Sequence, residues 1–135
     1  MKKPILCLDF DGVIHGYQSG WKGAGVCDDP PTPGTLEFLV EATKSFRVAI
    51  YSSRSKSLAG RAAMKRYMKK HFAVPLTFSP YHNWDFLHEE FSWPWFKPSA
   101  FITIDDRALT FNGTWPTIET LQAFKPWNKR AEADA

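Results

Sequence analysis

The sequence predicts an α/β fold: one domain with a central parallel sheet, helices on both faces and a small flap after the first strand. Three observations carry this expectation. Short, almost wholly apolar runs recur along the chain, as in strands buried on both faces of a sheet. Helical patterns of ten or more residues separate them. Polar residues follow three of the runs directly, where open parallel sheets bind their ligands.

Each element follows in order. "ILCLDF", residues 5–10, is the first buried strand. "HGYQSGWKGAGVCDDPPTPG" is rich in Gly and Pro and predicts a long loop or a small hairpin flap, a length that usually marks function. "PGTLEFLVEATKSF" predicts a helix with Thr35 as N-cap and Leu36, Leu39, Val40 and Thr43 on one face. "RVAIYS" is a second strand of the first type. "SLAGRAAMKRYMKKHF" predicts a second helix, with Leu58, Ala62 and Met68 inward and Arg61, Lys65, Arg66, Lys69 and Lys70 outward. "PLTFS" predicts a short third strand, and "NWDFLHEEFSWPWF" an irregular stretch with a helical turn or two. "AFITI" is a clear strand. Pro116 opens a last short helix, "TIETLQAF". Residues 1–127 form the domain, and 128–135 are expected to fray as a flexible tail.

Composition narrows the function classes. The 135 residues are 44% apolar and 23% charged, enough for a real core and against global disorder. No apolar run approaches the roughly twenty residues of a membrane span. "MKKPILCLDFDGV" starts like a secretory leader, but acids interrupt its short apolar part, so none is expected. Cys7 and Cys27 do not make a disulfide framework, and a reduced cytoplasmic setting is expected. The net charge of +3 does not by itself imply nucleic acid. The basic residues of "RAAMKRYMKKH" read first as a solvated helix face and second as a landing site for an anionic polymer.

The strand tips carry the chemistry. Asp9 and Asp11 follow the first strand, Ser52, Ser53 and Arg54 the second, and Asp105, Asp106 and Arg107 the last. Taken singly, each group reads as a cap, a turn or a surface ion pair. Together they bring four carboxylates to one edge, and a hard divalent cation, chiefly Mg²⁺, is the economical counter-charge. His82 and His88 have no zinc spacing and read as surface or packing residues.

The order "LDFDGV", "VAIYSSR", "FKPSAF", "ITIDDR" resembles the haloacid dehalogenase (HAD) superfamily of phosphohydrolases. The resemblance implies a single Rossmann-like domain and a phosphomonoesterase that works through an aspartyl-phosphate. Asp9 would be the nucleophile. Asp11 would be the general acid and base, which favours a phosphatase or phosphotransferase over a dehalogenase. Mg²⁺ would be held by the Asp9 side chain, the Asp11 carbonyl, Asp106 and, directly or through water, Asp105. Ser52 and Ser53 would bind a phosphoryl oxygen. Lys97 would neutralise Asp9, with Lys65 and Lys69 as alternatives. Such a counter-charge is needed, because a carboxylate about 4 Å from a phosphate dianion is repelled by roughly 8 kcal/mol at an effective dielectric of 20.

Residues 12–51 and 54–96 leave no room for a large cap domain, so an open site and a bulky substrate are expected. "SSR" and "DDR" also resemble the corresponding motifs of polynucleotide kinase phosphatase domains, which points toward a 3′-phosphate on nucleic acid. Arg54 and Arg107 would hold a further phosphate or pair with the acids. On the flap, Trp21 and Lys22 would offer a ring and a cation to the substrate. Trp84, Trp93, Trp95, Trp115 and Trp127 read as core or rim packing. A receiver domain fits badly, since its nucleophile follows its acidic pair. A catalytically silent nucleic-acid or protein-binding module of the same fold is the alternative.

Overall fold

The computed structural model describes residues 2–72 and 91–129. The strand expected in "PLTFS", His82, His88 and Trp84 lie outside the described residues, as do residues 130–135 of the expected tail.

Four parallel strands make the sheet: β1 (Ile5–Leu8), β2 (Arg47–Ile50), β3 (Phe91–Ser92) and β4 (Ile102–Ile104), in the order β3-β2-β1-β4. Leu6 pairs with Val48 and Ile102, and Leu8 with Ile50 and Ile104, so these six side chains share one face. That face carries the core. Leu39 and Val40 of α1 (Thr35–Thr43) and Met64, Tyr67, Met68 and Phe72 of α2 (Leu58–Phe72) pack into one cluster with Leu6, Leu8, Val48 and Ile50.

Both helices feed the same face for a topological reason. The steps β1 to β2 and β2 to β3 run the same way across the sheet, and right-handed crossovers then put α1 and α2 on one side. The return to β4 uses residues 93–101, fewer than the dozen or so that a helical crossover needs. The helix layer expected on the second face is therefore not formed by the described residues. Cys7 and Ala49 point to that face and are buried all the same. Both cysteines are free thiols.

Other expectations need correcting. Gly34, left-handed at φ 83°, is the N-cap of α1, and Thr35 is its first residue, with its hydroxyl bonded to the Thr32 carbonyl. In α2 the inward stripe is Gly60, Ala63, Met64, Tyr67 and Met68; Leu58 is 77% exposed and Ala62 only partly covered. The helix starts at Leu58, so that side chain sits in its first turn and faces outward. The stretch read as irregular contains β3, paired with β2 through Phe91 and Ser92. The last helix, α3 (Ile118–Gln122), starts later than expected, with Thr117 rather than Pro116 at its entrance and the Thr117 hydroxyl accepting from the Thr120 N–H at 3.1 Å. No described helix is long and apolar enough to cross a membrane.

Candidate active site

The carboxyl ends of β1 and β4 lie side by side. The Asp9 N–H donates to the Ile104 carbonyl at 3.0 Å, which carries the pairing one step beyond the strand and brings Asp9 opposite Asp105 and Asp106. Ligand oxygens of Asp9, Asp105 and Asp106 all fall within 4.8 Å of one another. The chain can turn there because of Gly12. Its φ of +83° suits glycine, and a Cβ at this position would overlap the Asp106 carboxylate. A cleft of about 300 Å³ opens beside the acids, lined by Gly12, Val13, Thr32, Asp105, Asp106 and Trp127 among others. The indole N–H of Trp127 donates to the Gly12 carbonyl at 2.7 Å and closes one side of it.

The electrostatics of this trio are those of an anionic site short of positive charge. Burial, and then a hydrogen bond shared with Asp106, push Asp9 up to about 8. Burial raises Asp106 as well. Asp9 Oδ1 accepts from the Phe10 N–H at 2.8 Å, and Asp105 Oδ1 from the Arg107 N–H at 2.8 Å. Among the described residues the nearest cation to Asp106, Arg107 Nε, stands 4.0 Å from Oδ2 and is largely exposed. Asp106 Oδ1 is buried and accepts no hydrogen bond from the described residues. A buried carboxylate oxygen without a donor, in an all-oxygen set of three acids, fits a hard divalent cation such as Mg²⁺.

Asp11 faces a different environment. Arg54 Nε donates to both of its oxygens, at 2.9 and 3.2 Å, and His15 Nδ1 lies 2.8 Å from Oδ1. The His15 Nε2 accepts from the Asp29 N–H at 3.1 Å, which assigns the ring proton to Nδ1 and makes His15 a donor to Asp11. Burial alone would raise Asp11, but hydrogen bonds from His15 and Arg54 and the Arg54 charge hold it below the usual carboxylate range. In the absence of substrate these two donors select the ionised form of Asp11.

Arg54 is fully buried. Its Nη1 donates to the carbonyls of Gly23 and Ala24 at 3.0 and 2.7 Å, so it ties the flap to Asp11. Trp21 lies over its guanidinium at 4.8 Å from the ring centre and is half exposed. Asp29 holds the other end of the flap by accepting from the Ser19 N–H and hydroxyl at 2.8 and 2.6 Å. Glycine-rich as it is, the flap is anchored at both ends.

The remaining expected residues divide. Ser52 is buried and forms a reciprocal cap with Ser55 on the 3₁₀ turn Ser53–Lys56; its Oγ accepts from the Arg54 N–H at 2.9 Å. Among the described residues no acceptor takes the proton of this hydroxyl. Ser53, Lys22 and Arg107 are exposed. Lys97 is exposed too, and no hydrogen bond or ion pair joins it to another described residue; its charge is felt with those of Asp9 and Asp105 at the Cys7 thiol. Lys65 stands 5.8 Å from the Trp93 ring, and Lys69 lines a separate cleft with Arg66 and Lys70. His15, Asp29 and Trp127 complete the site without having been expected there. The one sequence signal was a histidine four residues after Asp11.

No protein-family model, curated protein or solved structure matches this chain.

Proposed function

We propose that the chain is a Mg²⁺-dependent phosphomonoesterase of the kind its motifs resemble, the HAD superfamily, on a Rossmann-like domain without a large cap. The observation that carries this reading is the carboxylate trio Asp9, Asp105 and Asp106, with its buried, undonated Asp106 oxygen. Asp9, Asp105 and Asp106 would hold the ion, which when bound supplies positive charge to the acids and to the phosphoryl oxygens.

The protein's own part is as follows. A carboxylate oxygen of Asp9 attacks phosphorus, the ester P–O bond breaks, and an aspartyl-phosphate forms. Water then attacks that phosphorus; its proton passes to Asp11, the bond to Asp9 breaks, and inorganic phosphate leaves. The ionised state of Asp11 suits the base half of this cycle. The alkoxide leaving group would take its proton from an Asp11 that has itself been protonated from solvent, once a contact from Arg54 or His15 gives way. The Ser52 hydroxyl and the Ser53 N–H would be neutral donors at the tip of β2, and Lys97, exposed and without a partner among the described residues, would be a cation able to swing to the phosphate.

A second reading, a catalytically silent nucleic-acid or protein-binding module, draws on the closed Asp11–Arg54 pair. Turnover of p-nitrophenyl phosphate separates the two. The account expects turnover that requires Mg²⁺ and stops on chelation, followed by selectivity among 3′- and 5′-phosphorylated oligonucleotides and small phosphates. Absence of turnover on every phosphomonoester, with Mg²⁺ shown to be bound, leaves the silent module.

A further inference from the structure

We propose that Trp93 and Trp95, with Arg61 and Lys65 of α2, form a binding site for single-stranded nucleic acid. The four residues meet for a simple reason. Trp93 and Trp95 follow the carboxyl end of β3, and α2 begins just after the 3₁₀ turn that follows β2. Those two strands are parallel neighbours, so all four residues sit toward the edge of the sheet that carries the acids.

The Arg61 guanidinium carbon lies 3.9 Å from the Trp95 ring centre, and Lys65 Nζ lies 5.8 Å from that of Trp93. A tryptophan placed only to fill the core would be covered. Trp95 is 45% exposed, and the adjoining Phe96 83%. Arg61 thus holds a ring whose remaining surface faces outward.

Two buried donors in this group have no acceptor among the described residues: Arg61 Nη1 and Trp93 Nε1. Buried polar atoms are seldom left so. Guanidinium and indole nitrogens only donate, so the missing partner is an acceptor, and beside two cations it is an anion. A phosphodiester supplies that anion, and the bases attached to it supply faces for exposed aromatic rings. A phosphopeptide would meet the donors and leave the rings bare. A duplex hides its base faces. Arg61, Lys65 and Lys69 recur every four residues, about 6 Å along the axis, so the cations continue along α2 away from the acids. As a binding site this assignment stands independently of the phosphatase reading. As the substrate class of the acidic centre, a strand whose terminal phosphate reaches Asp9, it rests on that reading.

The test is fluorescence anisotropy of a short labelled single-stranded oligonucleotide without a terminal phosphate, with the full chain in chelator. Binding is expected, and weaker binding of the same sequence as duplex. Trp95→Ala should weaken it roughly tenfold, and Trp95→Phe should restore most of that, since any aromatic face stacks. Arg61→Gln should lower the slope of log affinity against log salt by about 0.7, as for one phosphate contact on a single strand. Failure to bind at low salt, undiminished binding by a folded Trp95→Ala protein, or equal displacement by an acidic peptide would overturn the proposal. Turnover of p-nitrophenyl phosphate without oligonucleotide binding overturns this inference alone. Binding without turnover overturns the phosphatase reading alone.

Discussion

Residues 5–72 and residues 101–124 contribute the two halves of the candidate site and are built differently. In the first region the side chains of Leu6, Leu8, Phe10, Val48 and Ile50 are buried, and polar groups at the strand tips are locked to one another through Arg54, His15 and Asp29. In the second, β4 is an edge strand with all three residues exposed, and Phe111, Trp115 and Ile118 stand in the open as well. Asp9 and Asp11 therefore rest on a packed platform. Asp105 and Asp106 are held mainly by the pairing of β4 with β1, by the close approach of Asp106 to Gly12, and by the Trp127 hydrogen bond to the Gly12 carbonyl. The difference teaches that the seam at Gly12 positions the acidic trio, and that a bound cation would tie the looser half to the firmer one.

The firmer half breaks most visibly at Arg54. Arg54→Ala removes the partner of a buried carboxylate and releases the flap carbonyls, and should cost about 3 kcal/mol or more of stability. Urea unfolding measures it; a loss under about 1 kcal/mol would show that Asp11 and the flap hold without it. Gly12→Ala attacks the seam itself. A left-handed backbone at a residue with a Cβ costs on the order of 1–3 kcal/mol, and the added methyl displaces Asp106. A lower melting temperature together with weaker Mg²⁺ binding is expected, whereas lower stability with unchanged Mg²⁺ affinity would detach Asp106 from the metal.

The smallest effects lie within the trio. Asp106→Ala should weaken Mg²⁺ more than Asp105→Ala, because Asp106 brings the buried, undonated oxygen. Calorimetric titration ranks the two, and the reverse order would exchange their roles. The same titration against pH has a defined sign. Without metal, Asp9 carries its proton up to about pH 8, far above its ordinary value of 3.8, and the ion must displace it. Mg²⁺ affinity should therefore rise with pH, by at most about tenfold per unit for one released proton, and level off above about 8. A flat profile between pH 6 and 8, on the order of the range set by that shift, would separate Asp9 from the ion.

What could be read from the sequence follows this same division. β1 and β2 are continuous apolar runs ending in polar tips, so both the strands and the residues after them were legible. β3 is two residues long inside an aromatic-rich stretch, with no alternation to reveal it. Until β3 is located, nothing in the sequence shows that only residues 93–101 remain for the return to β4, and so the helix layer on the second face could not be judged. Tyr67 sits among lysines and arginines, which hid the true inward stripe of α2. The roles of Arg54 and His15 were the least legible. Their partners lie on Asp11 and the flap, and only the fold brings them together; a histidine four residues after Asp11 and an arginine after two serines do not by themselves show what they pair with.

The central claim, that Asp9 is the nucleophile of a cation-assisted phosphoryl transfer, is tested most directly by rapid acid quench during turnover followed by peptide mass spectrometry. The account predicts one phosphoryl group on the peptide carrying Asp9, formed only with Mg²⁺ and absent from Asp9→Asn protein. A phosphoryl group on another residue, or steady turnover by Asp9→Asn, would contradict it.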